Sequence, residues 1–267
     1  MNSRYGGTVW LLMAANLLVF VAVHVAAWCG APENVIAAAV ALPSHPAAAA
    51  AHPWTLLVYM FTQWDFMHLL SNMLWLWMFG MLAQRLGITG GRIAAAYMTG
   101  GLVGAVFFVV LGALGVTDMM LIGASCSVLS VVAMTGIMRG RVPIQMMFLG
   151  EMQVRWVALT VVVLVMLTSS AIQDTGIVLT HAAGALTGIL CGTILNRREY
   201  RSGTSRPIYA AGESRRGSAY GPYPKHGLTP SEQAELDALL AEVRRNGYAG
   251  IPPQARQRLF ELSARIK

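Results

Sequence analysis

Four polar side chains interrupt otherwise apolar stretches of this chain. Ser125 lies in "LIGASCSVLS", His181 in "GIVLTHAAGALTGILCG", and His68 with Asn72 in "WDFMHLLSNMLWLWMFG". Polar and ionisable groups in such stretches are expensive and mark functional sites. Serine is a weak nucleophile until a base within hydrogen-bond reach takes its proton, and a neutral imidazole is such a base. The tetrahedral oxyanion that follows needs donors. The side-chain amide of Asn72, the backbone N–H of Ser125 and His68 are the candidates. His68 and Asn72 are four residues apart and share one helical face. No carboxylate falls near His181 at the same depth, so the spacing predicts a Ser–His pair rather than a triad.

The elements that must carry these groups follow from composition. The sequence is 56% hydrophobic and 12% charged, with a mean hydropathy of +0.56. A soluble domain carries roughly twice that charged fraction. Apolar runs near the ~20 residues needed to cross a bilayer occupy 8–28, 64–84, 92–114, 119–138, 154–172 and 176–195. These predict an all-α membrane protein, a six-transmembrane-helix bundle over 1–196, with the first run a retained signal anchor. Arg4, Arg85, Arg92, Arg139, Arg141 and Arg155 flank alternate connections, whereas Glu33, Asp65, Asp118 and Asp174 occupy the others. The positive-inside rule then predicts a multi-pass protein of the cell membrane with its N-terminus and tail cytoplasmic.

In that orientation spans 2, 4 and 6 all run from outside to inside. Ser125 is expected about two turns into span 4 and His181 about one turn into span 6. At ~1.5 Å per residue, His68, Asn72, Ser125 and His181 all fall roughly 6–10 Å below the outer boundary. A lone serine in a membrane helix usually bonds back to its own backbone, and a lone asparagine can glue two helices. Independent structural roles do not select one depth for four groups. Gly184, Gly188 and Gly192 repeat every four residues in span 6, and Gly100 and Gly104 in span 3. Such small-xxx-small faces let backbones approach closely, which brings span 6 against span 4. Gly123 permits an irregular backbone just ahead of Ser125.

The remaining features bound the function. Cys29, Cys126 and Cys191 are too scattered for a disulfide framework or a zinc site. The basic balance follows the membrane, so nucleic acid is not an expected partner. The segment "GAPENVIAAAVALPSHPAAAAAHPW" is expected to lie along the outer leaflet. Residues 197–228 are rich in Gly, Ser, Pro and Arg and read as a flexible cytoplasmic linker. Residues 229–267 read as a cytoplasmic helical hairpin. Thr229 or Ser231 caps its first helix, Leu236, Leu239, Leu240 and Val243 share one face, and Gly247 and Gly250 end it. Pro252 or Pro253 starts the second helix, which carries Leu259, Leu262 and Ile266.

The chain resembles the rhomboid family of intramembrane serine proteases. The resemblance rests on "PWTLLVYMFTQWDFMHLLSNMLWLWMFG" with its H-x-x-x-N, on "YMTGGLVGAVFF", on "GASCS" and on "THAAGALTG". It covers most of residues 8–195. It implies a six-helix bundle with a water-filled cavity opening outwards, Ser125 as nucleophile and His181 as general base. It implies His68 and Asn72 at the oxyanion hole, single-span membrane proteins as substrates, and no metal or cofactor. The sequence departs from the family pattern at Cys126, where glycine often follows the serine. It departs again at Leu129, where many members have an aromatic residue, and at Thr55, where arginine often follows the first-loop tryptophan. Two other classes remain open at this point: a catalytically inactive relative that binds membrane helices, and a haem protein with His68 and His181 as axial ligands.

Overall fold

A computed structural model describes residues 6–146, 150–170, 174–201, 230–246 and 252–264. The chain divides into two compact units, residues 1–208 and 209–267.

In the first unit, helix α1 (Gly7–Trp28) leads into the short elements α2 (Glu33–Val40), β1 (Leu42–Pro43), α3 (Pro46–Ala51) and α4 (Thr55–Val58). A single 3-10 turn, Tyr59–Phe61, precedes α5 (Phe66–Arg85) and α6 (Gly90–Ala113). Then come β2 (Met120–Leu121), α7 (Ser125–Arg139), the strands β3 (Pro143–Met146) and β4 (Gly150–Gln153), α8 (Val154–Ser170) and α9 (Thr175–Arg201). Helices α1, α5, α6 and α9 are long and apolar enough to cross a membrane, and α7 and α8 are shorter apolar helices. Each of the six coincides with one of the apolar runs.

Two details correct the sequence reading. The fold is helical but not wholly so, because β3 and β4 pair antiparallel, as do β1 and β2. More consequentially, α7 begins at Ser125, not at residue 119. Residues 119–124 lie outside the helix: Leu121 pairs with Leu42 and Met120 with Pro43, Ser44 N–H donates to the Met119 carbonyl, and Gly123 has φ +127. Hydropathy registers the same apolar run whether the backbone is extended or coiled. Only the strand pairing and the positive φ separate the two.

Helix α7 is the buried centre of the bundle, and Ser125 to Gly136 are all buried. Small residues on its neighbours make this fit. A Cβ added at Gly184 of α9 would lie 2.6 Å from the Cys126 carbonyl oxygen, and one at Gly188 would lie 2.2 Å from that of Ser130. On the other side, a Cβ at Gly100 of α6 would lie 2.3 Å from Ser130 Cβ. The glycine faces of α6 and α9 therefore both press on α7; the α9 contact is the one that the four-residue repeats predict. The perimeter is apolar: Leu11, Leu18, Val106, Leu186 and Leu190 are each at least half exposed, the surface that lipid tails require.

At the end of α7 away from Ser125, Arg139 donates to both Glu199 carboxylate oxygens and, through Nε, to the Leu86 carbonyl at 2.9 Å. Arg92 pairs with the same carboxylate. This cluster joins α6, α7, α9 and the loop after α5.

In the second unit, the helices Pro230–Asn246 and Pro253–Ala264 pair through buried Leu236 and Leu262. Arg258 grips Glu235 with Nε and Nη2, each 3.0 Å from a carboxylate oxygen, and this contact holds the Glu235 carboxyl below its ordinary value. The second helix starts on Pro253, as predicted. Ile266, Thr229, Gly247 and Gly250 lie outside the described residues, as does nearly all of the 197–228 linker.

Candidate active site

Ser125 enters the site from the first turn of α7. The preceding segment is fixed by the β1–β2 pairing and by Gly123 N–H, which donates to the Tyr59 carbonyl at 3.1 Å. As the first helical residue, Ser125 has a backbone N–H with no partner within the helix, and it sits at the positive end of the helix dipole. Two turns inside a helix, where the sequence placed it, that N–H would have been consumed by the helix itself.

His181 comes from α9. Asp174 starts that helix, accepting from Ile177 N–H at 2.8 Å and from the Thr117 hydroxyl at 2.9 Å. The Gly184 contact then draws α9 against the start of α7, one turn beyond His181. Ser125 Oγ and His181 Nε2 are 2.5 Å apart, and both residues are 6% exposed. The other ring nitrogen, Nδ1, is 2.7 Å from the hydroxyl of Ser169 at the end of α8. Both ring nitrogens are thus engaged by serine hydroxyls, contacts that suit a proton-accepting imidazole and one of which an axial haem ligand would have to give up.

His68 and Asn72 come from α5. Asp65 caps this helix, its Oδ1 accepting from Met67 N–H at 2.8 Å and His68 N–H at 3.1 Å. The His68 ring rests over Gly123: a Cβ there would lie 2.6 Å from His68 Cε1. Glycine at 123 thus serves both the left-handed backbone and the space that His68 occupies, two residues from Ser125. Asn72 is 5% exposed, and its Nδ2 donates to Gln63 Oε1 at 3.0 Å. Gln63 Nε2 donates to Asn16 Oδ1 at 3.3 Å, and Asn16 Nδ2 donates to Tyr97 Oη and to the Leu12 carbonyl, each at 2.9 Å. Tyr97 Oη donates to the Met60 carbonyl at 2.8 Å. Neither His68 nor Asn72 hydrogen-bonds to Ser125 or His181 among the described residues. Their place is around the reacting pair, not in it.

Gln63, Asn16, Tyr97 and Ser169 are the participants that the sequence reading missed. Asn16 carried the clearest signal, as a lone amide in the middle of the first apolar run. Ser169 stood at an end of span 5, close to the depth predicted for His181.

Chemically, a serine hydroxyl in contact with an imidazole nitrogen can be deprotonated as it attacks an electrophile. The backbone N–H of Ser125, the first residue of α7, is not used within the helix, as a donor to developing negative charge must not be. A family model for the Rhomboid domain matches residues 50–198. That is more than half of the 267-residue chain, and it includes all four of the polar residues that first drew attention. No curated protein matches the sequence. A match over that length, joined to the buried Ser–His contact, places the chain in the rhomboid family.

Proposed function

We propose that this protein is an intramembrane serine endopeptidase that cleaves single-span membrane proteins near the outer membrane face. Ser125 is the nucleophile and His181 the general base. Ser125 Oγ attacks the scissile carbonyl carbon as its proton passes to His181 Nε2. The oxyanion is received by the Ser125 N–H, the Asn72 amide and His68. His181 returns the proton to the departing amine, leaving an acyl-enzyme; water then attacks the acyl carbon as its proton passes to His181, and Ser125 Oγ departs and regains a proton from the same ring. No cofactor takes part. The six apolar helices all span the bilayer in this reading, with the arginine-bearing connections and the tail hairpin cytoplasmic and the site opening outwards.

The observation that carries the proposal is the 2.5 Å contact between Ser125 Oγ and His181 Nε2, made between two different helices in a chain of this family. Ser125→Ala and His181→Ala, each reconstituted in lipid with a model single-span substrate, test it. Both variants are expected to lose cleavage while melting like the parent protein. Cleavage at the parent rate by either variant would defeat the proposal.

A further inference from the structure

The His181 ring is held at both nitrogens, and the second contact decides which of them carries the proton. Ser169 is the last residue but one of α8, is 5% exposed, and its Oγ lies 2.7 Å from both His181 Nδ1 and the Val165 carbonyl one turn earlier. A hydroxyl has one proton to donate and lone pairs to accept with. If Ser169 donates to Val165, its oxygen accepts from Nδ1–H, and Nε2 presents a lone pair to the Ser125 hydroxyl. If Ser169 instead donates to Nδ1, the ring proton sits on Nε2 and points at Ser125 Oγ. The Ser125 hydroxyl proton then has no acceptor among the described residues, and His181 is unable to take it. The first arrangement satisfies every donor in the chain from Val165 to Ser125. The second leaves one stranded in a buried site, which is costly.

We propose that Ser169 is a positioning residue that fixes the Nδ1–H tautomer and the rotation of the His181 ring. The inference rests on the serine-protease reading and adds α8 to the helices that build the reacting centre. In the acylation step the Ser125 O–H bond breaks as the Oγ–C bond forms, and the proton moves to Nε2. Nδ1 keeps its proton, and its hydrogen bond to Ser169 becomes charge-assisted as the ring turns cationic. No proton passes to Ser169. The contact therefore strengthens on the way to the transition state, the condition for a contribution to rate rather than to binding.

Ser169→Ala and Ser169→Thr in the full-length protein in lipid test this, together with nitrogen-15 NMR of the His181 ring. Ser169→Ala is expected to lower kcat by about tenfold to a hundredfold with KM unchanged, because Ser169 lies behind the ring, away from substrate. Ser169→Thr keeps the hydroxyl and is expected to recover most of that loss. The neutral ring of the parent protein is expected in the Nδ1–H form, and the alanine variant is expected to gain the Nε2–H form. A parent ring in the Nε2–H form, or an alanine variant with the parent's kcat, overturns the proposal. Should the alanine variant not fold, the parent spectrum decides alone. Should Ser125→Ala still cleave, the protease reading falls, while the tautomer still decides what Ser169 does.

Discussion

At the scale of single residues, two hydrogen-bonded systems, Ser125–His181–Ser169 and Asn72–Gln63–Asn16–Tyr97, are separate from one another among the described residues. Asn72 is aimed by Gln63, which is braced by Asn16 and Tyr97. One N–H of the Asn72 amide is thus held at 3.0 Å by Gln63, and the proposed oxyanion contact falls to the other. Loss of one oxyanion donor costs about 100- to 1000-fold in rate. Asn72→Ala is accordingly expected to lower kcat within that range, and Gln63→Ala to lower it less, since Gln63 acts only through Asn72. Steady-state cleavage kinetics of both variants and their double measure this. The double is expected to match Asn72→Ala, and a product of the two single effects would show that Gln63 acts elsewhere. Ser125, His181, His68 and Asn72 were legible in the sequence because each is a chemically costly group in an apolar run. Ser169 and Gln63 were not. A serine at a helix end and a glutamine in a loop are ordinary there, and their roles depend on rotations that spacing does not reveal.

At the scale of elements, glycine sets the active geometry. Small residues let the α7 and α9 backbones approach closely beside the Ser125–His181 contact. A valine at 188 would drive a methyl-bearing Cβ into the Ser130 carbonyl, 2.2 Å away. The obstacle is backbone, so α7 and α9 must separate. Gly188→Val is expected to destabilise the protein by about 1–3 kcal/mol, the usual cost of overpacking, and to remove most cleavage by parting Ser125 from His181. Leu186, on the same helix but 58% exposed, provides the comparison: Leu186→Val is expected to change neither. Thermal unfolding and cleavage of the two variants check this, and an active, stable Gly188→Val would mean that α9 is not seated by its glycines. The helices themselves were legible as apolar runs, and the α7–α9 contact as a four-residue glycine repeat; the α6 repeat was visible but its partner was not. The start of α7 was not legible, because the β1–β2 pairing that holds Met120 and Leu121 extended joins residues nearly eighty apart in sequence. Pairing over that distance leaves no periodic trace in either segment.

At the scale of the whole molecule, the membrane unit places its reactive end and its charged end at opposite ends of one buried helix. Ser125 opens α7 and Arg139 closes it, the two ends of a 15-residue helix, a rise of about 21 Å between them. The arginines that the positive-inside rule uses to orient the chain are in part the ones that tie α6, α7 and α9 together through Glu199. The residues predicted to orient the protein thus also hold the three central helices in register beneath the reacting pair. The account depends on Ser125 being nucleophilic because His181 makes it so. The most direct measurement is reaction of the protein in bilayer vesicles with a fluorophosphonate, with the adduct mapped by mass spectrometry. The account predicts an adduct on Ser125 in the parent protein and none in His181→Ala. An unmodified Ser125 in the parent, or equal modification in His181→Ala, would contradict it.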